Sequence, residues 1–361
     1  MRCIIKTLPN FCGSRTFKLS YHHYFHSSRK MSDFASKCVI GTHDGVFHCD
    51  EALGCFLLKT LYPHATIVRS RNQEILNTCD IVIDVGGEYN PEKFRFDHHQ
   101  RSFNHSMSTL SSIVKTTVKL SSAGLIYHHF GRKIIEKIVQ SNDGKLIDYV
   151  YKRVYGNFIQ EIDGTDNGLP PYPKEPLYNI CTHVSARVQH LLKPWNVKDE
   201  DYDVEEHFQK AMNLVGGEFI ESLESAAFVV YPARAIVEKA IENRFNVHPS
   251  GKIIELEQHC PWKDHFFDIE KELNLSSDIT YVLFQSDDNY RVMCVSVTNK
   301  SFVCRKFLPP SWRGLRNDAL SEKSGIPGCV FAHHNGFIGG NETREGALQM
   351  AVKSLENEEE S

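Results

Sequence analysis

Cys38-Val39-Ile40-Gly41-Thr42-His43-Asp44-Gly45-Val46-Phe47-His48-Cys49-Asp50-Glu51 is the stretch whose reading decides the fold. Its first four residues form a short apolar strand, and Thr42 to Gly45 turn the chain. A helix is predicted over 51–61, where Leu53, Phe56, Leu57 and Leu61 recur at the spacing of one buried stripe and Lys59 falls on another face. Thr66–Arg69 and residues 80–85 repeat the apolar strand pattern, the latter closed by Gly86-Gly87. Strands alternating with helices predict an α/β fold with a parallel sheet. In such sheets ligands bind beyond the carboxyl ends of the strands, where the polar residues of this chain cluster.

Farther on, 121–130 and 133–139 show helical spacing, with Gly131 expected to break between them. Residues 148–163 read as a helix ended by Gly164, followed by the proline-bearing Gly168-Leu169-Pro170-Pro171-Tyr172-Pro173. One or two long helices are expected over 205–242, and 199–245 is read as a helical connector. Strands follow at 252–256, 279–285 and 290–297, the last two joined by a turn at Ser286-Asp287-Asp288-Asn289, and a helix is predicted over 345–355. The expected organisation is a catalytic domain over 37–198, the connector, and a smaller α+β domain over 246–361 that binds substrate.

The 361 residues suffice for two domains, and 41% hydrophobic with 24% charged residues is the balance of a globular chain with a sizeable core. No apolar run approaches the roughly 18–20 residues that span a bilayer, so no membrane partner is expected. A net charge of -4 argues against binding nucleic acid by bulk positive charge alone, though a metal centre and a local basic groove would supply the missing field. The 11 cysteines include no C-x-x-C pair, which disfavours a disulfide framework and a zinc finger. No Gly-x-Ser-x-Gly elbow marks a serine hydrolase. Arg2, Lys6, Arg15, Lys18, Arg29 and Lys30 precede the first acidic residue, Asp33, with serines and aromatics between them. Residues 1–36 therefore read as a mitochondrial transit peptide or a disordered basic tail, and Met31 offers an internal start.

Four clusters carry the chemistry. His43, Asp44, His48 and Asp50 lie within eight residues, in a loop where imidazole and carboxylate can converge on a transition metal; Asp44 is alternatively a turn residue and Glu51 a charge at a helix start. Asp84 ends an apolar strand and either bridges two metals or makes an Asx turn before Gly86-Gly87. Phe96-Asp97-His98-His99-Gln100 offers ligands and a neighbour to orient them, or a surface histidine pair. In Glu161-Ile162-Asp163-Gly164-Thr165-Asp166-Asn167-Gly168, Asp163 and Asp166 are equal candidates to close the shell.

In order and spacing these four elements resemble the motifs of the DHH phosphoesterase superfamily, with Asp97-His98-His99 as the triplet that names it. The match extends to Leu308-Pro309, Trp312-Arg313-Gly314-Leu315-Arg316 and the run from Phe331 to Gly340, which resemble the melanocyte-proliferating-gene protein family, also described as metal-dependent protein hydrolases. His48 stands where many superfamily members carry aspartate, and Asp166-Asn167-Gly168 replaces a more usual Asp-Thr-Gly. The resemblance implies a DHH domain, a smaller domain closing over substrate, and 3′→5′ exonuclease action on RNA in the mitochondrial matrix and the nucleus or nucleolus. His43, His48, Asp50, Asp84, His98 and one of Asp163 and Asp166 are then expected to hold divalent metal, two ions of Mn2+ or Mg2+, with Asp84 bridging. His98, His99 and Asp84 are the expected catalytic groups, His99 contacting phosphate or orienting a ligand. Arg313, Arg316, His333, Gly339 and Gly340 are expected to bind substrate, with His334 a structural neighbour. The competing readings are a phosphoesterase for small molecules, of pyrophosphatase or cyclic-dinucleotide type, and a non-catalytic metal- or RNA-binding scaffold.

Overall fold

The computed structural model describes residues 38–358 apart from 175, 176 and 277, so the expected transit peptide lies outside the described residues. Strand β1 (Val39–Thr42) runs into helix α1 (Cys49–Leu61), then β2 (Thr66–Arg69), α2 (Gln73–Thr78), β3 (Ile81–Ile83), β4 (Tyr89–Asn90) and β5 (Arg95–Phe96). They form one sheet in the order β2-β1-β3-β5-β4, parallel except for β4. Ile40 is in register with Ile67 and Ile81, and Ile83 with Phe96. Ile40, Ile81, Ile83 and Phe96 are fully buried, as expected of parallel strands covered on both faces. The large core includes α1, while Leu76 of α2 and Cys79 pack with Val82 in a separate small cluster.

Next come α3 (Met107–Leu110), α4 (Ser122–Val139) and α5 (Gly144–Val154), which continues through a wide π-type turn (Tyr155–Ile159) into α6 (Gln160–Asp166). Both predicted glycine breaks are corrected. Gly131 lies inside α4, where a Cβ would come within 3.1 Å of the Tyr151 ring; the missing side chain lets α5 approach. Gly164 likewise sits inside α6, which runs on to Asp166.

Helix α7 (Val184–Gln189) precedes α8 (Val204–Glu224), a second wide turn (Ser225–Val230), α9 (Ala233–Glu242) and α10 (Arg244–Val247). Helix α8 is not a free-standing connector, because Phe208, Met212, Val215 and Phe219 bury in the core of the first sheet. The chain changes cores at the second wide turn, after which Val237 and Ile241 of α9 pack with Ile254 and Phe266. The second sheet comprises β6 (Ile253–Glu255), β7 (Tyr281–Ser286), β8 (Asn289–Cys294), β9 (Cys329–Ala332) and β10 (Ile338–Asn341), in the order β6-β7-β8-β10-β9. Only β6 and β7 run parallel; α11 (Lys263–Glu272), α12 (Asn317–Ser324) and α13 (Arg344–Glu356) complete this α+β part. The predicted turn between β7 and β8 is present, with Ser286 opposite Asn289 and Asp287 at φ +53°. No described helix is long and apolar enough to cross a membrane.

Candidate metal centre

Three parallel strands bring three clusters to one edge. β1 ends at Thr42, β3 at Ile83 and β5 at Phe96, so His43, Asp84 and Asp97-His98 all emerge at the carboxyl end of the sheet. Asp84 has φ +59°, a left-handed backbone that aspartate tolerates better than most residues, and Gly86 and Gly87 continue the reversal at +97° and +68°. Its carboxylate then divides between two rings: Oδ2 lies 3.3 Å from His43 Nε2, and Oδ1 lies 3.3 Å from His98 Nε2.

Helices supply the rest. At the start of α1, Asp50 is buried, its Oδ2 4.0 Å from His98 Nε2. At the end of α6, Asp166 Oδ2 lies 3.1 Å from the same nitrogen. Three groups of ligand-type atoms result, each within 4.8 Å: His43, His48, Glu51 and Asp84; Asp84, His98 and His99; Asp50, His98 and Asp166. Asp84 belongs to the first two groups and His98 to the last two, so the groups form one chain.

The surrounding bonds aim these atoms. His43 Nδ1 donates to the Asp44 carbonyl at 3.1 Å, which leaves Nε2 to face carboxylates. Glu51, read from sequence as a helix-start charge, is fully buried. Its oxygens accept the His48 backbone N–H at 2.8 and 2.9 Å, and Oε1 also lies 3.2 Å from His43 Nε2. Ser122 Oγ donates to Asp84 Oδ1 at 3.1 Å. Neither Ser122 nor this use of Glu51 was visible in the motif pattern, since each depends on a helix start folding back onto the sheet edge. Asp97 accepts N–H bonds from Gly87 at 2.6 Å and His99 at 3.1 Å, and pairs with His99 Nδ1 at 2.8 Å. It therefore orients His99, whose side chain is 63% exposed.

Asp163 and Asp166 are now distinct. Asp163 is fully buried and accepts from the Ser121 N–H at 2.9 Å, Ser121 Oγ at 2.8 Å and the Tyr155 hydroxyl at 3.0 Å. Burial pushes its carboxyl up to about 7 against those three bonds. It ties the start of α4 to α6 and is absent from the three ligand groups, which Asp166 joins.

The electrostatics fit a cation. Burial, then the charges of Asp84 and Asp166, hold the Asp50 carboxyl well above its usual range. Burial would also raise Asp84, but the His43 and His98 rings, each with a nitrogen 3.3 Å from one of its oxygens, outweigh it and hold that carboxyl low. Burial opposes protonation of His43, yet its bonds to Asp84 and Glu51 lift it to about 10. Both Asp50 oxygens and both His98 ring nitrogens are buried without a partner of hydrogen-bonding geometry, the short approach of Asp166 to His98 notwithstanding. Buried carboxylates facing one another are costly unless a positive charge joins them, and the mixed imidazole and carboxylate donor set suits a divalent transition metal.

The predicted substrate residues lie elsewhere. Every residue lining the two hollows at this centre falls between His43 and Gln189. Gly339 and Gly340 do not expose a phosphate-binding loop before a helix. They are buried in β10 between β8 and β9, where a Cβ on Gly339 would meet Leu308 and Met350 at 2.9 Å. Arg313 Nε donates to the Leu308 carbonyl at 3.0 Å, and Arg316 stands over the Phe331 ring. The His333 and His334 rings lie tilted with centres 4.3 Å apart beside the turn into β10, outside the three ligand groups.

Histidines and aspartates delivered from consecutive strand ends of a parallel sheet define a candidate metal centre on an α/β scaffold. Residues 39–355 match the family model MYG1_exonuc, described as "Uncharacterised protein family (UPF0160)", and the chain belongs to that family. It is 48% identical to the MYG1 exonuclease of Rattus norvegicus over 322 residues, covering 88% of this chain and 84% of that protein. Against the MYG1 exonuclease of Homo sapiens the identity is 48% over 333 residues, covering 91% and 88%. A crystal structure of RecJ in complex with Mn2+ from Thermus thermophilus is similar at 12% identity and a TM-score of 0.23, spanning 90% of this chain and 53% of that one.

Proposed function

We propose that this chain is a metal-dependent phosphodiesterase, and specifically a 3′→5′ exonuclease of RNA acting in the mitochondrial matrix and the nucleus or nucleolus. The observation that carries the chemistry is the divided carboxylate of Asp84, one oxygen 3.3 Å from His43 and the other 3.3 Å from His98. That arrangement suits divalent cations, Mn2+ or Mg2+ and two ions in our reading, which His43, His48, Asp50, Asp84, His98 and Asp166 would hold. The exonuclease part rests on the names of the relatives, and the choice of RNA and of compartment on the motif resemblance.

Bound there, a cation pair would supply Lewis-acid polarisation of the phosphoryl oxygen, acidification of water and shielding of the leaving oxygen. The remaining work belongs to side chains. Ser122 and Glu51 hold Asp84 and His43 in their rotamers, so the ligand atoms are placed before substrate arrives. Asp97 accepts a hydrogen bond from His99 Nδ1–H, which fixes the ring and raises its proton affinity above that of a free histidine. His99 thus presents a fixed imidazole to a phosphate above an acidic floor.

The test is incubation of the purified chain from residue 37 onward with end-labelled single-stranded RNA, in Mn2+ and in EDTA. Metal-dependent shortening from the 3′ end is expected. Bound metal without product would favour the scaffold reading, and preferred turnover of pyrophosphate or a cyclic dinucleotide the small-molecule one. Fluorescent fusions with and without residues 1–36 test the compartment: loss of mitochondrial signal on removal is expected.

A further inference from the structure

Two hollows flank the basin of ligands. One, of about 450 Å3, is lined by Asp50, His98 and Asp166 and farther out by Lys119 and Asn167. The other, of about 490 Å3, is lined by His43, Asp84, Gly86, Gly87 and Arg71. His48 and His99 line both, so the two are halves of a single trough with the ligand basin on its floor.

The cations of the two halves differ. Arg71 is already engaged, its Nε 3.4 Å from Asp44 Oδ1. The Lys119 ammonium stands 5.5 Å from the centre of the Phe103 ring, and among the described residues it forms no ion pair. Phe103 in turn packs edge-on to His98 with ring centres 6.3 Å apart, so Lys119 sits one ring away from a central ligand. Its backbone is pinned: the Lys119 carbonyl accepts from Asn167 Nδ2 at 3.0 Å, and the next residue, Leu120, is buried. A half-buried lysine held over an aromatic face, beside an acidic floor yet paired with no acid, keeps its charge for a ligand.

The geometry points to Lys119 as the residue that grips the phosphate next to the scissile one. This rests on the phosphodiesterase reading and narrows it. Cations on the basin floor would answer the charge of the scissile group, while a neighbouring phosphate entering the first half of the trough meets Lys119. The favoured substrate is then an oligonucleotide with at least two linkages, not a mononucleotide ester or a single diester. Lys119 is a positioning residue, and its removal weakens binding while sparing the chemical step.

The experiment compares the full chain with Lys119→Ala and Lys119→Arg in Mn2+, on a ten-nucleotide RNA and on a dinucleotide with one linkage. Binding of the same RNA is followed by fluorescence anisotropy in Ca2+ across a salt series. Lys119→Ala is expected to raise KM for the longer RNA about tenfold with kcat within about twofold, and to lower the log–log salt slope of binding by about one. The fold loss on the dinucleotide should be markedly smaller, and Lys119→Arg should recover most of the affinity. Unchanged KM, or an equal loss on both substrates, overturns the assignment. If the unaltered chain turns over neither substrate, the phosphodiesterase reading falls instead. The anisotropy series then decides Lys119 alone: weaker binding with a shallower slope upholds it, unaltered affinity overturns it.

Discussion

The two five-stranded sheets treat buried charge in opposite ways. In the first, parallel strands send His43, Asp84 and His98 to one edge, where Asp50 joins them and its oxygens stay unpartnered. In the second, charge is closed off pairwise. Arg305 meets Glu270 through two bonds of 2.7 and 2.6 Å with both side chains more than 90% buried, and Arg344 meets Glu255 in the same forked manner. Strand direction is the cause. Parallel strands give every following residue the same neighbourhood, whereas antiparallel β8, β9 and β10 send their ends apart and leave a pair such as His333-His334 without further ligands. One sheet is built to receive a charge, the other to be finished without one.

The contrast can be broken most severely at Asp84. Asp84→Ala should cut metal-dependent turnover by about 10^3-fold or more, given the several kcal/mol that such charge stabilisation supplies, with circular dichroism near that of the unaltered chain. Full activity in this variant would remove the proposed centre. The matching change beside the second sheet, Glu270→Ala in α11, strands the Arg305 guanidinium and should cost about 3–5 kcal/mol in denaturant unfolding while Mn2+ affinity holds. A second pair sharpens the comparison within one helix. Asp163→Ala should destabilise by about 2–3 kcal/mol, since three buried donors lose their acceptor. Asp166→Asn should leave the melting temperature within a few degrees and weaken Mn2+ binding in calorimetry.

The smallest effect concerns acid. Burial, helped by His105, pushes His128 down to about 4, and burial with His128 pushes His129 to about 3. Below an unfolded value of about 6.5 the unfolded chain binds more protons than the native one, so the stability these residues allow is complete above pH 6.5 and is lost as pH falls toward 4. Roughly 2 kcal/mol per histidine should be missing at pH 5, and His129→Phe should flatten that part of the profile. A flat profile in the unaltered chain would mean these rings are more solvated than their packing shows.

Much of the candidate centre was legible because its ligand-type side chains directly follow apolar strands: His43 after β1, Asp84 after β3, His98 after β5. The alternation of strand and helix then placed all three on one edge. Asp163 and Asp166 were not separable, because residues three apart share a helix face. What separates them is height along α6: Asp163 is level with Ser121 at the start of α4, and Asp166 reaches His98. Glycine misled for a related reason. Gly131 looks like a breaker in one dimension, but the approach of Tyr151 that requires it belongs to another helix. Gly339 and Gly340 looked like a loop and are strand residues thinned to admit Leu308, Met350 and Phe331.

The wide turn at Tyr155–Ile159 carries a consequence for how far this chain tolerates shortening. Such a turn holds one residue more than an α-helical turn, so the segment from Gly144 to Asp166 behaves as a helix with a single-residue insertion. Deleting one residue there would restore regular winding at little local cost. It would also rotate everything downstream by about 100° and draw it back about 1.5 Å. The Asp166 carboxylate would then swing off His98 and the Asp163 carboxylate off Ser121, so a deletion that looks harmless on the helix would disarm the edge of the sheet and loosen the tie between α4 and α6.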